Sequence, residues 1–277
     1  MKLELYRNLW GVPGPVRPAL ARVAAAGYHG IEAVLFSDSQ AAALRRALRL
    51  ETGLVFKGVA WPRGRTVRDQ LASLRREVRR LLRLAPGSLS VIGGYDCWSD
   101  DDAARYFEGA LRLEEQVGLP LAHETHRNSV LFHPAPTRRI LARFPELKLV
   151  CDFSHWVVAC ERLIDDQLDL VRQCGRQAVH LHARVGSEQS PQVSDVRAPE
   201  FARYRRAFEQ WWDIVWTEQE RRGLAVSSLC PEFGPPPYLQ TAPYSGRPAA
   251  DLWAVCEWQK KRQQARFARR RSRRGMI

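Results

Sequence analysis

The sequence predicts a single α/β barrel of eight parallel strands. Short apolar runs alternate with amphipathic segments, and that alternation implies a parallel sheet, because parallel strands need crossover connections. There are eight such runs in 277 residues, about the length of one closed (β/α)₈ barrel. The rival architecture, an open doubly wound sheet, needs a Gly-rich phosphate turn after an early strand. "VLFSDSQAA" after the second run is no G-x-G-x-x-G, and no P-loop is present.

The elements follow in order. "LELYRNLW" (3–10) alternates polar and apolar residues like a strand, and "RPALARVAAAG" (17–27) has the three-and-four spacing of a helix. "GIEAVL" (30–35) and "LVFKGVAW" (54–61) are the second and third strands. "TVRDQLASLRREVRRLLRL" (66–84) is a helix, then comes the strand "SLSVIGGY" (88–95). "DAARYFEGALRLEEQVG" (102–118) follows the acidic "SDDD", a suitable helix start. "LPLAHETH" (119–126), "APTRRILARF" (135–144) and "LKLVCDF" (147–153) give strand, helix, strand. "CERLIDDQLDLVRQC" (160–174) reads as one helix before "AVHLHARV" (178–185). "PEFARYRRAFEQWWDIVWTEQERRG" (199–223), "VSSLCPEF" (226–233) and "PAADLWAVCEWQKKRQQARFA" (248–268) complete the pattern. The connection "GSEQSPQVSDVRAPE" (186–200) is long, and in such a barrel long loops sit on the catalytic face.

Composition narrows the setting. No run of about 18 apolar residues exists, so no membrane span is expected. The N-terminus has no basic region followed by an apolar one, so no secretory leader is expected. Six cysteines lack any C-x-x-C pair and read as reduced thiols of a cytoplasmic protein. The net charge of +13 is mostly C-terminal: residues 260–274 carry nine Lys or Arg and no acid, and the rest of the chain carries +4. We expect a barrel domain over 1–263 and a basic, flexible tail over 264–277. The tail could touch nucleic acid, but a solvated helix end explains it as well.

Sites in parallel barrels lie at the C-terminal strand ends. Here the fifth run ends "HETHR", giving Glu124 with His126 and Arg127. The sixth ends "CDFSH", giving Asp152 and His155. The seventh holds "HLHAR", giving His180, His182 and Arg184. The eighth ends "CPEFG", giving Glu232, and the second run adds Glu32 in "GIEAV". Each alone is an ordinary cap, core or surface residue. Together, four adjacent strands aim carboxylates and imidazole at one axis. Three carboxylates that close repel one another unless a cation neutralises them. Arg127 and Arg184 could do so, or a divalent metal. Three oxygen ligands and one imidazole suit Mn²⁺, Mg²⁺ or Co²⁺, with Zn²⁺ less suited. His180 and His182 are two apart and face the same side, so the pattern leaves the choice between them open, with His182 nearer the strand end.

The series "HETHR", "CDFSH", "HLHARVG", "CPEFG" resembles the xylose isomerase-like TIM barrel superfamily of sugar phosphate isomerases and epimerases. The likeness covers nearly the whole chain to about residue 265. It implies one divalent metal held by Glu124, Asp152, His182 and Glu232, with Glu124, Glu232 and His155 taking part in catalysis. His126, Arg127, His155, Arg184 and Glu32 would contact the substrate. The implied reaction is isomerisation or epimerisation of a sugar or sugar phosphate, by proton transfer next to a carbonyl through an enediolate. Trp10, Trp61 and Trp98 could wall the substrate or simply pack the core. The partner is then a small molecule, and homo-oligomerisation is left open.

Two alternatives differ in class. One is a metal phosphodiesterase on DNA like the apurinic-site endonucleases, which resemble this chain in fold but add histidines on strands three and four. "FKGVAW" and "IGGYD" have none. The other is a non-catalytic barrel.

Overall fold

The computed structural model describes residues 1–50 and 53–274, with side chains to residue 270. Among these residues, eight parallel strands close into a barrel in chain order. They are β1 (Lys2–Asn8), β2 (Gly30–Val34), β3 (Val55–Ala60), β4 (Leu89–Val91), β5 (Leu121–Glu124), β6 (Leu149–Cys151), β7 (Ala178–His182) and β8 (Val226–Cys230). The helices outside are α1 (Val16–Ala25), α2 (Asp38–Leu50), α3 (Val67–Leu82), α4 (Asp100–Val117), α5 (Pro134–Arg143), α6 (Ser154–Cys160), α7 (Leu168–Gln177), α8 (Ala202–Arg221) and α9 (Leu252–Arg274). The seam pairs β1 with β8, Lys2 opposite Val226 through Leu5 opposite Leu229. The chain thus forms the predicted (β/α)₈ barrel, and each of the eight apolar runs contains a strand. No described helix is long and apolar enough to cross a membrane.

Local chemistry sets the element ends. Ser99 caps α4 by accepting from the Asp102 amide at 3.1 Å, and Asp100–Asp102 place negative charge at the positive end of the helix dipole. The same helix ends at Gly118, whose φ of +62° is the left-handed turn that glycine adopts without a Cβ penalty.

Three segments differ from the sequence reading. Residues 38–50 form α2, a helix whose thin apolar stripe, Ala41, Leu44 and Ala47, is carried largely by alanine. The helix expected over 160–174 begins only at Leu168 as α7, because Glu161 turns left-handed at φ +51° and ends the preceding α6 at Cys160. The basic segment expected as a flexible tail from 264 is the second half of α9 through Arg274. Phe267 is buried there, edge-to-face with Trp216 of α8 at 5.2 Å. Arg266 reaches Asp213 at 2.5 Å, and Arg270 reaches Glu220 at 2.8 Å. An apolar anchor and carboxylate partners on α8 dock a segment that charge alone made look like tail. Residues 275–277 lie outside the described residues.

The apolar core fills the layer between barrel and helices, with Trp156, Trp211, Trp212 and Trp216 fully buried. The barrel interior is different. Aliphatic layers usually fill it, but here it holds a linked polar set. Ser90 donates to Glu32 at 2.8 Å, Lys57 to Ser88 at 2.7 Å, and His180 Nδ1 lies 2.7 Å from Ser228 Oγ. The edge of Tyr6 meets the His180 ring at 5.7 Å between centroids.

Candidate metal centre

Alternation along β7 continues into the next residues. His180, His182 and Arg184 fall on one side, two residues apart, each deeper one a layer further from the mouth. All three are buried. β5 obeys the same rule. Glu124 and His126 face inward, whereas His123 faces α4 and meets Phe107 ring to ring at 5.0 Å. His123 therefore has no contact with the mouth, and burial pushes its pKa down to about 3.

Between the strands, Thr125 fastens the ends of β5 and β6. It donates to the Asp152 carbonyl at 2.9 Å and accepts from the Asp152 amide at 2.8 Å. Asp152 is fixed further by Ser154, whose amide and hydroxyl both donate to Oδ1, at 2.9 and 2.6 Å. Across the seam, Asn8 donates to Glu232 Oε1 at 3.2 Å.

These supports bring ligand-type atoms of Glu124, Asp152, His182 and Glu232 within 4.8 Å of one another, all four residues buried. His182 rather than His180 belongs to this group; His180 lies deeper, grouped with Glu32 and His182. His182 Nδ1 lies 2.9 Å from Glu232 Oε2 and 3.4 Å from Glu124 Oε1. Its Nε2 lies 3.0 Å from Glu32 Oε2.

The cluster fits a divalent ion on its own chemistry. His182 Nδ1 and Glu232 Oε2 are buried and make no well-aligned hydrogen bond, although they lie 2.9 Å apart. A buried polar atom is rarely left that way without an unseen partner. The donor set, three carboxylates and one imidazole, is that of a hard-metal site with one nitrogen.

Charge explains the titration of the cluster. Burial pushes Glu124 up to about 7, with Glu232 and Asp152 adding to it against the pull of His182. Burial acts on Glu232 too, but His182 and Arg184 outweigh it and hold that carboxyl below the usual range. Burial disfavours the charged His182, yet Glu232, Glu32 and Glu124 around it hold it well above an ordinary histidine. Glu32 is likewise penalised by burial, and the charge and hydrogen bond of His182, with His180 3.8 Å away, keep it well below the carboxylate range.

A small cavity of ≈ 70 Å³ opens over the cluster. Glu124, His126, His182, Arg184 and Glu232 form its polar floor. Trp10, Trp61 and Tyr238 form aromatic walls, with Val34, Val59 and Ile92 between them. Trp10 and Trp61 thus face the cavity. Trp98 packs edge-on against Tyr95 and Tyr106 instead.

Three residues expected to touch substrate lie elsewhere. Glu32 is wholly buried beneath His182 and bonded to Ser90. His155 is wholly buried and does not line the cavity: Arg184 Nη2 reaches its Nε2 at 2.9 Å, and its ring packs on His126 at 3.9 Å, grouped with Glu124. Arg127 is exposed, its guanidinium 5.1 Å over the Tyr238 ring, and does not line the cavity. His126 and Arg184 do line it. Arg184 also bonds Asp152 Oδ2 at 2.5 Å and lies 3.2 Å from Glu232, so an internal cation offsets part of the carboxylate charge. Asn8, Tyr238, Ser154 and Lys57 are participants that the sequence reading missed. Asn8 falls two residues before Trp10 on the first strand, a readable signal, while Tyr238 comes from an irregular loop that carries none.

No family model matches the sequence, and no curated protein matches it. Solved structures do. The chain aligns with a 3-keto-D-glucoside 4-epimerase from E. coli at TM-score 0.61 and 12% identity, over 96% of this chain and 99% of the other. The fold is the xylose isomerase-like TIM barrel. A protein described by that fold name, from Mycobacterium smegmatis and in complex with magnesium, matches at TM-score 0.58 and 12% identity, over 94% of each chain. An AP endonuclease of family 2 from Brucella melitensis matches at TM-score 0.54 and 14% identity, over 85% of this chain and 93% of the other. Xylose isomerase-like barrels thus carry more than one chemistry at this level of likeness, and the activity has to be argued from the site.

Proposed function

We propose that this chain is a divalent-metal-dependent isomerase or epimerase of a sugar or sugar phosphate, working by proton transfer next to a carbonyl. The observation that carries this reading is the convergence of Glu124, Asp152, His182 and Glu232 under a cavity with aromatic walls. The epimerase and magnesium-bound neighbours are consistent with it. Bound there, Mn²⁺, Mg²⁺ or Co²⁺ would supply a Lewis acid for the substrate's oxygens and for negative charge developing on them.

The protein's own groups do the rest. Glu124 and Glu232 reach the cavity floor from β5 and from the end of β8, on different arcs of the barrel. One takes the proton from the carbon beside the carbonyl and the other returns it, a role that positioned carboxylates fill well. Arg184, held by Asp152 and His155, presents a fixed positive charge at the floor. Trp10, Trp61 and Tyr238 exclude water and offer ring faces to the C–H side of a sugar. His155 acts through Arg184.

The DNA phosphodiesterase reading has less support. Its added histidines on strands three and four are absent, since β3 is "VFKGVA" and β4 is "LSV". We place the enzyme in the cytoplasm on the ground of its reduced cysteines. The deciding test pairs metal analysis with exchange of solvent deuterium into a panel of ketoses and their phosphates. One Mn, Mg or Co per chain with metal-dependent exchange supports the isomerase reading. Metal-dependent cleavage of abasic DNA without exchange would replace it.

A further inference from the structure

We propose that Glu32 is the positioning residue for the His182 ligand, accepting a hydrogen bond from Nε2 so that Nδ1 is presented to the cluster above. The inference rests on the metal reading of that cluster, but its evidence lies one layer below. Glu32 sits on β2, across the barrel from β7, and is wholly buried. Its Oε2 lies 3.0 Å from His182 Nε2, and its Oε1 accepts from Ser90 Oγ at 2.8 Å. Two strands thus hold the carboxylate, and the carboxylate holds the ring. An imidazole has two nitrogens. With a proton fixed on Nε2 by Glu32, Nδ1 keeps its lone pair when the ring coordinates, and Nδ1 is the atom that makes no well-aligned hydrogen bond beside Glu124 and Glu232. A carboxylate behind a ligating histidine fixes both tautomer and ring angle.

A second metal bound by Glu32, His180 and His182 is the competing use of the same residues. Lys57 argues against it. It is the register partner of Glu32 on β3, and its buried ammonium donates to Ser88 at 2.7 Å and lies 5.0 Å from the Tyr6 ring centroid. That layer already has its cation. His180 is also committed on its other side, with Nδ1 2.7 Å from Ser228 Oγ.

The test uses full-length protein stripped of metal and titrated with Mn²⁺ by calorimetry, comparing wild type, Glu32→Gln and Ser90→Ala. We expect Glu32→Gln to bind Mn²⁺ about 10- to 100-fold more weakly. Ser90→Ala should weaken it in the same direction and by less. A second readout needs neither metal nor turnover. The proton on His182 Nε2 should give a downfield NMR resonance protected from solvent exchange, and Glu32→Gln should lose it. Equal Mn²⁺ affinities in wild type and Glu32→Gln would overturn the proposal. If Glu32→Gln does not fold, unchanged affinity in Ser90→Ala would do so. Wild type that takes up no Mn²⁺ would overturn the metal reading, while the Nε2 resonance still decides whether Glu32 positions the ring.

Discussion

Arginine meets carboxylate in two regions of this molecule, at the barrel mouth and between α8 and α9, to opposite effect. At the mouth, Arg184 is wholly buried among Asp152 and Glu232, and atoms there make no well-aligned hydrogen bond, among them Arg184 Nη1, His182 Nδ1 and Glu232 Oε2. Between the helices, Arg262, Arg266 and Arg270 pair with the buried Glu209 and the partly exposed Asp213 and Glu220, and none of these atoms is left over. A buried ion pair costs several kcal/mol to desolvate and recovers that only with complete geometry. The pairs on α8 and α9 finish a surface, whereas the mouth is an unfinished set that a ligand would complete.

Five changes would break or sharpen this contrast, the largest first. Glu232→Gln should cut metal-dependent deuterium exchange by about 10²–10⁴-fold, because it keeps the shape and removes the base. Exchange at wild-type rates would shift the proton-transfer role to Glu124. Arg184→Met should cost about 3–5 kcal/mol without metal, since Asp152 loses its cation inside the barrel. Urea unfolding with saturating Mn²⁺ should recover much of that loss. An equal Mn²⁺ effect on wild type and variant would mean that guanidinium and metal do not share the same carboxylates. Phe267→Ala should cost roughly 3 kcal/mol, as other buried phenylalanines do, and Mn²⁺ should rescue none of it. Deleting residues 264–277 should cost at least as much, and a melting curve identical to wild type would return the segment to the status of a tail. Arg262→Ala should cost about 1 kcal/mol or less in the same assay. Arg266 still stands 3.6 Å from Glu209, so no buried charge is stranded.

The sequence made some of this legible. Strands buried on both faces read as apolar runs, so all eight were visible, and the polar residues ending them marked the mouth. Alternation placed His180 and His182 on one side. The same rule turns His123 outward, onto Phe107 of α4. What stayed hidden depends on partners far along the chain. Nothing local to Glu32 shows that His182, 150 residues later, lies against it. Nothing in "QQARFARR" shows that Trp216 and Asp213 wait on α8 to dock it. Helix α2 was missed because alanine makes a weak apolar stripe, and the break at Glu161 because no glycine or proline announces it.

The hydrogen bond from Asn8 to Glu232 has a consequence in time. It spans 224 residues and crosses the seam where the first strand meets the last. Gln259 of α9 adds a second late clasp, donating to the Ala183 carbonyl beside His182 at 3.0 Å. A chain made from its N-terminus holds Glu32, Glu124, Asp152 and His182 long before Glu232 and Gln259 exist. Until β8 is made, the sheet cannot close across the β1–β8 seam. The four-residue cluster can therefore assemble only after Glu232 has been made, 50 residues later than His182.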